Sequence, residues 1–160
     1  MSFVELIHDS ALQGDASHFD VAAATRLGRA CGTALRRRTG GGAQVVVLGR
    51  GGNGDELVLR DGLARGLLLS GHDVRDVGVA SAELFAFAIS HLGAAGGVLV
   101  QPAGAGTRTL TFSLGKRPLA GDALLELASL ADGEDFSAGA GSLALVDVVP
   151  AARAAAGSAG

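Results

Sequence analysis

The sequence predicts a three-layer α/β/α domain built on a mixed, mainly parallel sheet of about four strands. Three observations predict it. Strand-like and helix-like patterns alternate along the chain, and valine-rich runs at residues 44–48 and 96–100 are typical of strands buried on both faces. Only residues 101–106 join the second of these strands to the next, which is too short for a crossover helix. We therefore expect that last pair of strands to be antiparallel.

The first part of the chain predicts a short strand and then a long helix. Residues 2–7 alternate well enough for the strand, and the polar residues 8–17 predict a loop. Apolar residues recur every three or four positions through residues 18–38, which is helical spacing, and the glycines after Thr39 end the helix. The apolar stripe of this helix consists of Val21, Ala24, Leu27, Cys31 and Leu35.

Helices and strands alternate through the rest of the chain. Leu59, Leu63 and Leu67 form the apolar stripe of a second helix, and Ser81 is well placed to cap a third. We predict a helix over 55–70, a strand over 73–79, a helix over 81–92, a strand over 107–114, a helix over 121–130 and a last apolar stretch over 143–149. We expect one domain over residues 1–150 and a flexible tail of small residues over 151–160.

Composition argues against two classes of partner. A net charge of −3 disfavours nucleic-acid binding, and the basic run at residues 36–38 falls at a helix end, where cations suit the helix dipole. The longest apolar stretches fall short of the roughly 20 residues that span a bilayer, so we expect no membrane partner. The single cysteine, Cys31, is consistent with a reducing cytoplasm.

Three stretches resemble the first domain of the α-D-phosphohexomutases, the phosphomannomutase/phosphoglucomutase family. Residues 66–79, GLLLSGHDVRDVGV, are similar to that family's helix and strand G-L-L-x-x-G-H-D-V-x-D-I-G-L. Residues 84–100 resemble the stretch that leads to its catalytic loop, and residues 114–122, LGKRPLAGD, resemble the G-x-R-P-L-x-G-D segment beyond it. The resemblance covers roughly residues 5–150 in family order and implies a phosphoglucomutase domain I-like fold.

The resemblance implies a changed nucleophile. Enzymes of this family move a phosphoryl group within a hexose phosphate through a phosphoserine, in a loop that resembles T-A-S-H-N-P. The corresponding loop here, residues 101–106, reads QPAGAG, so Ala103 stands at the phosphoserine position and Gly104 replaces the histidine. We therefore expect no catalytic residue in this loop, with Thr107 as the nearest alternative hydroxyl.

Other active-site positions also depart from the family pattern. Gln13 stands where the family's N-terminal loop presents an arginine, whereas the loop after the second predicted strand keeps Arg50. The resemblance places the Mg²⁺ ligands in the second domain of these four-domain enzymes, so we expect no metal here unless another chain supplies that domain. The candidate ligand-binding residues are Arg50, Gln13, Gly104, Thr107, Lys116 and Arg117.

Other interpretations of single motifs are weaker. Residues 49–54, GRGGNG, fit the dinucleotide pattern G-x-G-x-x-G, but Asp55 and Glu56 follow at once and would repel a pyrophosphate. The four histidines have no metal-ligand spacing and are interpreted as surface or helix-end residues. The acidic pair at residues 134–135 lies in a glycine-rich linker without an apolar wall to raise a pKa.

These observations lead to three functional hypotheses. The first is a catalytically inactive phosphohexomutase-like domain that binds protein, as a homo-oligomer or with a partner, through the surface that a second domain would cover. The second is one domain of a split or truncated phosphomannomutase or phosphoglucomutase, an intramolecular phosphotransferase. The third is binding of a hexose phosphate or another anion without turnover.

Overall fold

The computed structural model describes residues 2–52, 54, 56–104 and 106–158 of the chain. The strands are β1 Ile7–His8, β2 Ala11–Asp15, β3 Val45–Arg50, β4 Asp73–Val79, β5 Gly96–Pro102, β6 Thr107–Leu114, β7 Arg117–Pro118 and β8 Leu143–Leu145. The helices are α1 Val21–Thr39, α2 Glu56–Leu69, α3 Ala82–His91, α4 Gly121–Gly133 and α5 Val149–Ser158. None of the helices in the described part of the chain is both long and apolar enough to cross a membrane.

The sheet separates two hydrophobic cores, which confirms the three-layer prediction. Because successive side chains of a strand point to opposite faces, Val46 and Leu48 join the larger core, whereas Val47 joins the smaller one. Helices α1, α2 and α4 supply the larger core, and α3 covers the smaller one with Phe85 and Ile89.

The described strands form one mixed sheet in the order β1-β2-β6-β5-β3-β4-β8, with β7 paired to β6. Strands β5, β3, β4 and β8 are parallel to one another, and β5 pairs with β6 antiparallel as the short connection predicts. The mixed, mainly parallel sheet agrees with the prediction in kind, but it has eight strands over the described residues rather than about four. The additional strands β1, β2, β6 and β7 pair antiparallel.

The N-terminal prediction was wrong in two places. Phe3–Leu6 form a 3₁₀ turn rather than a strand, and only Ile7–His8 are extended. The predicted loop over residues 8–17 contains β2, which pairs with β6 about a hundred residues away. Because β2 contains Gly14 and two polar residues, the local sequence has little strand character, and the distant strand provides its hydrogen bonds.

The C-terminal residues form helix α5, although the sequence predicts a flexible tail. Alanine has the highest intrinsic helix propensity, and residues 151–156 contain five alanines, a signal that the small-residue interpretation missed. Ala152 and Ala155 face a cleft beside Leu84 and Phe87 of α3. These two α3 residues are half-buried, while Phe85 between them lies in the core.

His72 is the exception to the surface interpretation of the histidines. Its imidazole is buried, and its Nδ1 accepts a hydrogen bond of 3.0 Å from the backbone N–H of Gln44. Because Nδ1 accepts, Nε2 carries the proton and donates to the carbonyl of Gly32 at 2.7 Å. The imidazole ring therefore connects α1, through Gly32, with Gln44, the residue before β3, by two hydrogen bonds.

The basic run at the end of α1 forms ion pairs with nearby carboxylates. Arg37 lies 3.3 Å from Asp135, and Arg38 lies 2.8 Å from Glu126. Gly40 adopts a left-handed conformation, with φ of 93°, and ends the helix immediately beyond. The run thus binds to α4 and the residues that follow it.

Asp73, at the start of β4, accepts hydrogen bonds from Ser142, the residue before β8. These bonds predict that the stability of the fold depends on pH. Oδ1 of Asp73 accepts from the backbone N–H of Ser142 at 3.0 Å and from its hydroxyl at 2.9 Å. These hydrogen bonds hold the pKa of the Asp73 carboxyl below its ordinary value of 3.8. The folded state therefore binds fewer protons than the unfolded chain, so this stabilisation is present above 3.8 and is lost as pH falls through the folded pKa.

We expect Ser142→Ala to lower the urea midpoint at neutral pH and to have a smaller effect as the pH falls well below 3.8, because protonation of the Asp73 carboxylate weakens the hydrogen bonds from Ser142. Urea titrations of wild type and variant across this range measure the difference. Ser90→Ala, an exposed change on α3, is the control and should show no such pH trend. A Ser142→Ala effect that stayed constant with pH would contradict the assignment.

Candidate functional site

The loops at the carboxyl ends of the parallel strands β3 and β5 bring together most of the sequence-predicted site residues. Arg50, at the end of β3, is in register with Val100 of the parallel strand β5. Strand β6 begins at this edge and the antiparallel strand β2 ends there, with Asp15 in register with Thr107. The predicted residues at this edge, named the loop edge below, are Gln13, Arg50, Ala103, Gly104 and Thr107.

Lys116 and Arg117 lie at the opposite end of the strands from the loop edge. They are exposed beyond the end of β6, where Leu114 is in register with Gly96 at the start of β5. Eight residues of β6, about 27 Å of extended chain, separate this turn from the loop edge. The structure therefore does not bring these two cations to the same site as Arg50.

The loop between β5 and β6 is a tight turn with small side chains. The backbone N–H of Ala103 donates to the carbonyl of Thr107 at 3.0 Å, and the N–H of Thr107 donates to the carbonyl of Gly104 at 3.3 Å. Gly104 has a φ of 123°, a conformation that side-chain-bearing residues rarely adopt. The exposed Ala103 presents a methyl group here, and Ala105 lies outside the described residues.

Arg50 is held by a buried carboxylate. Its Nη1 lies 3.8 Å from Oδ1 of Asp76, whose side chain is only 2% exposed. Asp76 also accepts from Nε of Arg60 at 2.6 Å and from the backbone N–H of Gly78 at 2.8 Å. Neither Asp76 nor Arg60 was among the candidate site residues from the sequence.

A second buried ion pair lies on the same face of the sheet. Nε of Arg108 is 3.3 Å from Oε1 of Glu56, the first residue of α2, and both side chains are largely buried. Sequence analysis missed Arg108. The signal was available, because Leu110 and Phe112 alternate with outward threonines, so Arg108 must share the inward face with them.

Gln13 faces the other side of the sheet from Arg50. Leu12 points into the larger core, so the next side chain points away from it, and Nε2 of Gln13 donates to Oγ1 of Thr109 at 3.3 Å. Arg50 follows Leu48 by two positions and points to the larger-core face. Gln13 and Arg50 thus both lie near the loop edge, but their side chains point to opposite faces of the sheet.

The glycine-rich turn after β3 has little space for a phosphate. The N–H of Gly51 donates to the carbonyl of Val100 at 2.7 Å, and a Cβ on Gly51 would lie 2.9 Å from Pro102. The Glu56 carboxylate lies next to Gly52 and Gly54, in the place where a pyrophosphate would contact the N-terminus of the helix. Two residues of the dinucleotide alternative, Asn53 and Asp55, lie outside the described residues.

No cluster of three His, Cys, Asp or Glu side chains that could hold a metal ion occurs among residues 2–52, 54, 56–104 and 106–158. The two buried carboxylates at the loop edge, Asp76 and Glu56, are each bound to arginine. A Mg²⁺ site needs at least one or two carboxylates that are available as ligands, which water and substrate phosphates complete. The described residues at this edge do not fit such a site.

Comparison with known proteins identifies the family. Residues 7–103 match the model of the phosphoglucomutase/phosphomannomutase α/β/α domain I. The chain belongs to the phosphoglucomutase/phosphomannomutase family. Its matched region is domain I, which confirms both the resemblance and the fold that it implies.

Relatives of this phosphoglucomutase/phosphomannomutase domain are much longer than the chain itself. A phosphomannomutase from Escherichia coli is 36% identical over 118 residues, which cover 71% of this chain and 24% of that protein. A phosphoglucomutase/phosphomannomutase from Thermococcus kodakarensis is 39% identical over 77 residues, or 48% of this chain and 17% of that protein. The chain therefore spans about a quarter or less of these curated relatives.

A solved structure supports the same fold. A phosphoglucomutase/phosphomannomutase family protein from Burkholderia thailandensis superposes with a TM-score of 0.84 and 24% sequence identity. The superposition covers 95% of this chain and 35% of that one. Nearly the whole of this chain thus has a structural counterpart in the longer protein.

Proposed function

We propose that this family member transfers no phosphoryl group itself and acts by binding protein. The observation that carries the proposal is the chemistry of the loop edge. A methyl group occupies the phosphoserine position at Ala103, and the arginines behind it are bound to the buried carboxylates of Asp76 and Glu56. A phosphate dianion at this site would have to compete with these carboxylates for the positive charge of the arginines.

The exposed apolar side chains support the binding part of the proposal. Among the described residues, eight large hydrophobic side chains are exposed, and five of them lie on α2 and β8. These five are Leu57, Val58, Leu69, Leu143 and Leu145. Apolar residues concentrated on adjacent elements mark interaction surfaces, whereas isolated ones are ordinary.

A coupled assay for phosphoglucomutase and phosphomannomutase tests the catalytic part. We expect no turnover of glucose 1-phosphate or mannose 1-phosphate with Mg²⁺ and the bisphosphate activator, for either the chain or its Ala103→Ser variant. The variant supplies a hydroxyl at position 103 and leaves the ion pairs of Arg50, Arg60 and Arg108 unchanged. The full-length Escherichia coli phosphomannomutase is the positive control, and turnover by the purified chain would overturn the proposal.

A second function, one domain of a split phosphotransferase, is favoured by the extent of the match. The chain covers nearly all of a domain I but only 35% of a longer family protein. Adding a fragment of the Escherichia coli relative that lacks its own domain I tests the idea. Turnover that appears only in the mixture, and more strongly with Ala103→Ser, would support the split enzyme against our proposal.

Binding of a hexose phosphate without turnover is the weakest of the three functions. A cavity of about 520 Å³ beside Arg50 and Arg60 is also lined by Asp76 and Asp147, so its charge is mixed. Titration calorimetry with glucose 1-phosphate measures this directly, and we expect no saturable heat. Saturable binding that Arg50→Ala abolished would instead favour this function.

We further infer a cytoplasmic location. The one cysteine, Cys31, is buried on α1, and burial raises the pKa of its thiol to about 12. A buried neutral thiol of this kind is a structural apolar residue and needs no oxidising compartment.

A further inference from the structure

The outward face of α2 and the edge strand β8 together form one groove. Two adjoining cavities of about 520 and 420 Å³ lie between them and share Arg60. Leu57 and Leu145 line the first, and Arg65, Leu69 and Leu143 line the second. The residues that define this α2–β8 face are Leu57, Asp61, Arg65, Leu69, Leu143 and Leu145, and all six are exposed.

The order of residues on α2 is symmetric about its middle. Leu57, Asp61, Arg65 and Leu69 follow one another at intervals of four, which places them along one ridge of the helix. A two-fold axis that passes near Leu63 exchanges the two leucines with each other and the aspartate with the arginine. Asp61 of each copy then faces the arginine at position 65 of the other copy, so the interface contains two such acid–base pairs.

Strand β8 lies beside the α2 ridge, and Leu143 and Leu145 lie on the side of the strand that faces α2. Leu143 lies beside the C-terminal half of α2 and Leu145 beside the N-terminal half, since the strand runs opposite to the helix. A two-fold axis through the middle of the α2 ridge would place the β8 strands of the two copies on opposite sides of the paired helices, where their leucines extend the apolar area.

We propose that the α2–β8 face binds a second copy of this chain. This inference rests on the proposed binding function and names its partner. The apolar ends of the ridge and Leu145, which is 73% exposed, provide area that water leaves on association. The reciprocal pairs of Asp61 with the partner copy's arginine fix the register, because a parallel arrangement would place like charges together.

Sedimentation velocity of the full chain tests the inference. We expect wild type at about 50 µM to sediment with twice the mass of one chain, and Asp61→Arg or Arg65→Asp to weaken the dimer about tenfold or more. Each single change creates two like-charge contacts across the axis. Asp61 also lies against Arg60 within its own chain, so Arg65→Asp serves as the second variant that leaves this contact intact.

Complementation provides the decisive comparison. An equimolar mixture of Asp61→Arg with Arg65→Asp should form a heterodimer, because both reciprocal pairs then join opposite charges. The double variant Asp61→Arg/Arg65→Asp should dimerise with itself for the same reason. Asp122→Arg, an exposed charge reversal on α4, is the matched control and should leave the wild-type dimer unchanged. Thermal melts check that every variant folds.

Three outcomes would overturn the inference: a wild-type monomer, a dimer that ignores both single reversals, or weakened variants that do not complement each other. These outcomes are separate from a failure of the proposed function. A mutase assay on the same samples decides that question, because turnover would refute the non-catalytic proposal whatever the mass. An inactive monomer would overturn only the assignment of a second copy as the partner.

Discussion

Gly66→Ala is expected to lower the free energy of unfolding by about 3 kcal/mol or more, although alanine is the better helix former by about 1 kcal/mol. Gly66 lies on α2 where this helix crosses α1. A Cβ there would overlap the carbonyl oxygen of Thr25 and lie 2.6 Å from the backbone nitrogen of Arg29. Both atoms are helix backbone, so the strain can be relieved only by moving the two helices apart.

The loss would spread because the contact between α1 and α2 depends on several close approaches. A Cβ on Gly28 would overlap the carbonyl of Leu63, and one on Gly62 would lie 2.5 Å from the Ala24 side chain. Separating the helices at one point therefore loosens the neighbouring contacts in the larger core as well. Since small domains have only about 5–15 kcal/mol of stability in total, a large fraction would be lost.

Chemical denaturation of wild type and variant measures the change. Gly157→Ala is the matched control, because no heavy atom lies within 4 Å of the added Cβ on α5. We expect that control to change stability by less than about 0.5 kcal/mol. A Gly66→Ala variant as stable as wild type would refute the close packing of α1 and α2.

Asp76→Ala is expected to destabilise the fold by about 3–5 kcal/mol. The substitution removes the carboxylate that Arg60 and Arg50 share and also the acceptor for the N–H of Gly78. Because the site is largely buried, water cannot fully replace these interactions. Two guanidinium groups on one face of the sheet would then lie close together without the anion between them.

The control for Asp76→Ala is an arginine–carboxylate pair of similar length on the surface. Arg38 and Glu126 lie 2.8 Å apart and are each about one-third exposed, so Glu126→Ala should cost less than about 1 kcal/mol. Urea denaturation at neutral pH compares the two variants. Equal and small effects would show that burial adds nothing at Asp76, which would contradict the assignment of its pairs with Arg50 and Arg60 as strong buried ion pairs.

Much of the fold was predictable from local pattern. The leucines at 59, 63 and 67 define the buried stripe of α2, and Ser81 caps α3 by accepting from the N–H of Leu84. The short connection between β5 and β6 fixed their antiparallel pairing in advance. Each of these features depends on residues within a few positions of one another, where spacing and capping chemistry act directly.

The candidate site was predictable only in part. The family resemblance predicted Ala103 at the phosphoserine position and Arg50 in the neighbouring loop, and the fold brings both residues to the loop edge. The sequence could not indicate that Arg50 is bound to Asp76, or that Arg108 reaches Glu56, because each pair joins different elements of the fold. Lys116 was grouped with them by family order but lies at the opposite end of β6.

The sequence by itself determined helices α1 to α4, strands β3 to β6 and the family, because these features depend on residue type and on spacing within a few positions. Tertiary structure alone decided that β2 is a strand, that His72 is buried, and that glycines let α1 and α2 touch. It also decided the electrostatics of the loop edge, where the buried carboxylates of Asp76 and Glu56 pair with arginines. The physical reason is common to all of these: hydrogen bonds, desolvation and close packing depend on partners that only folding brings together.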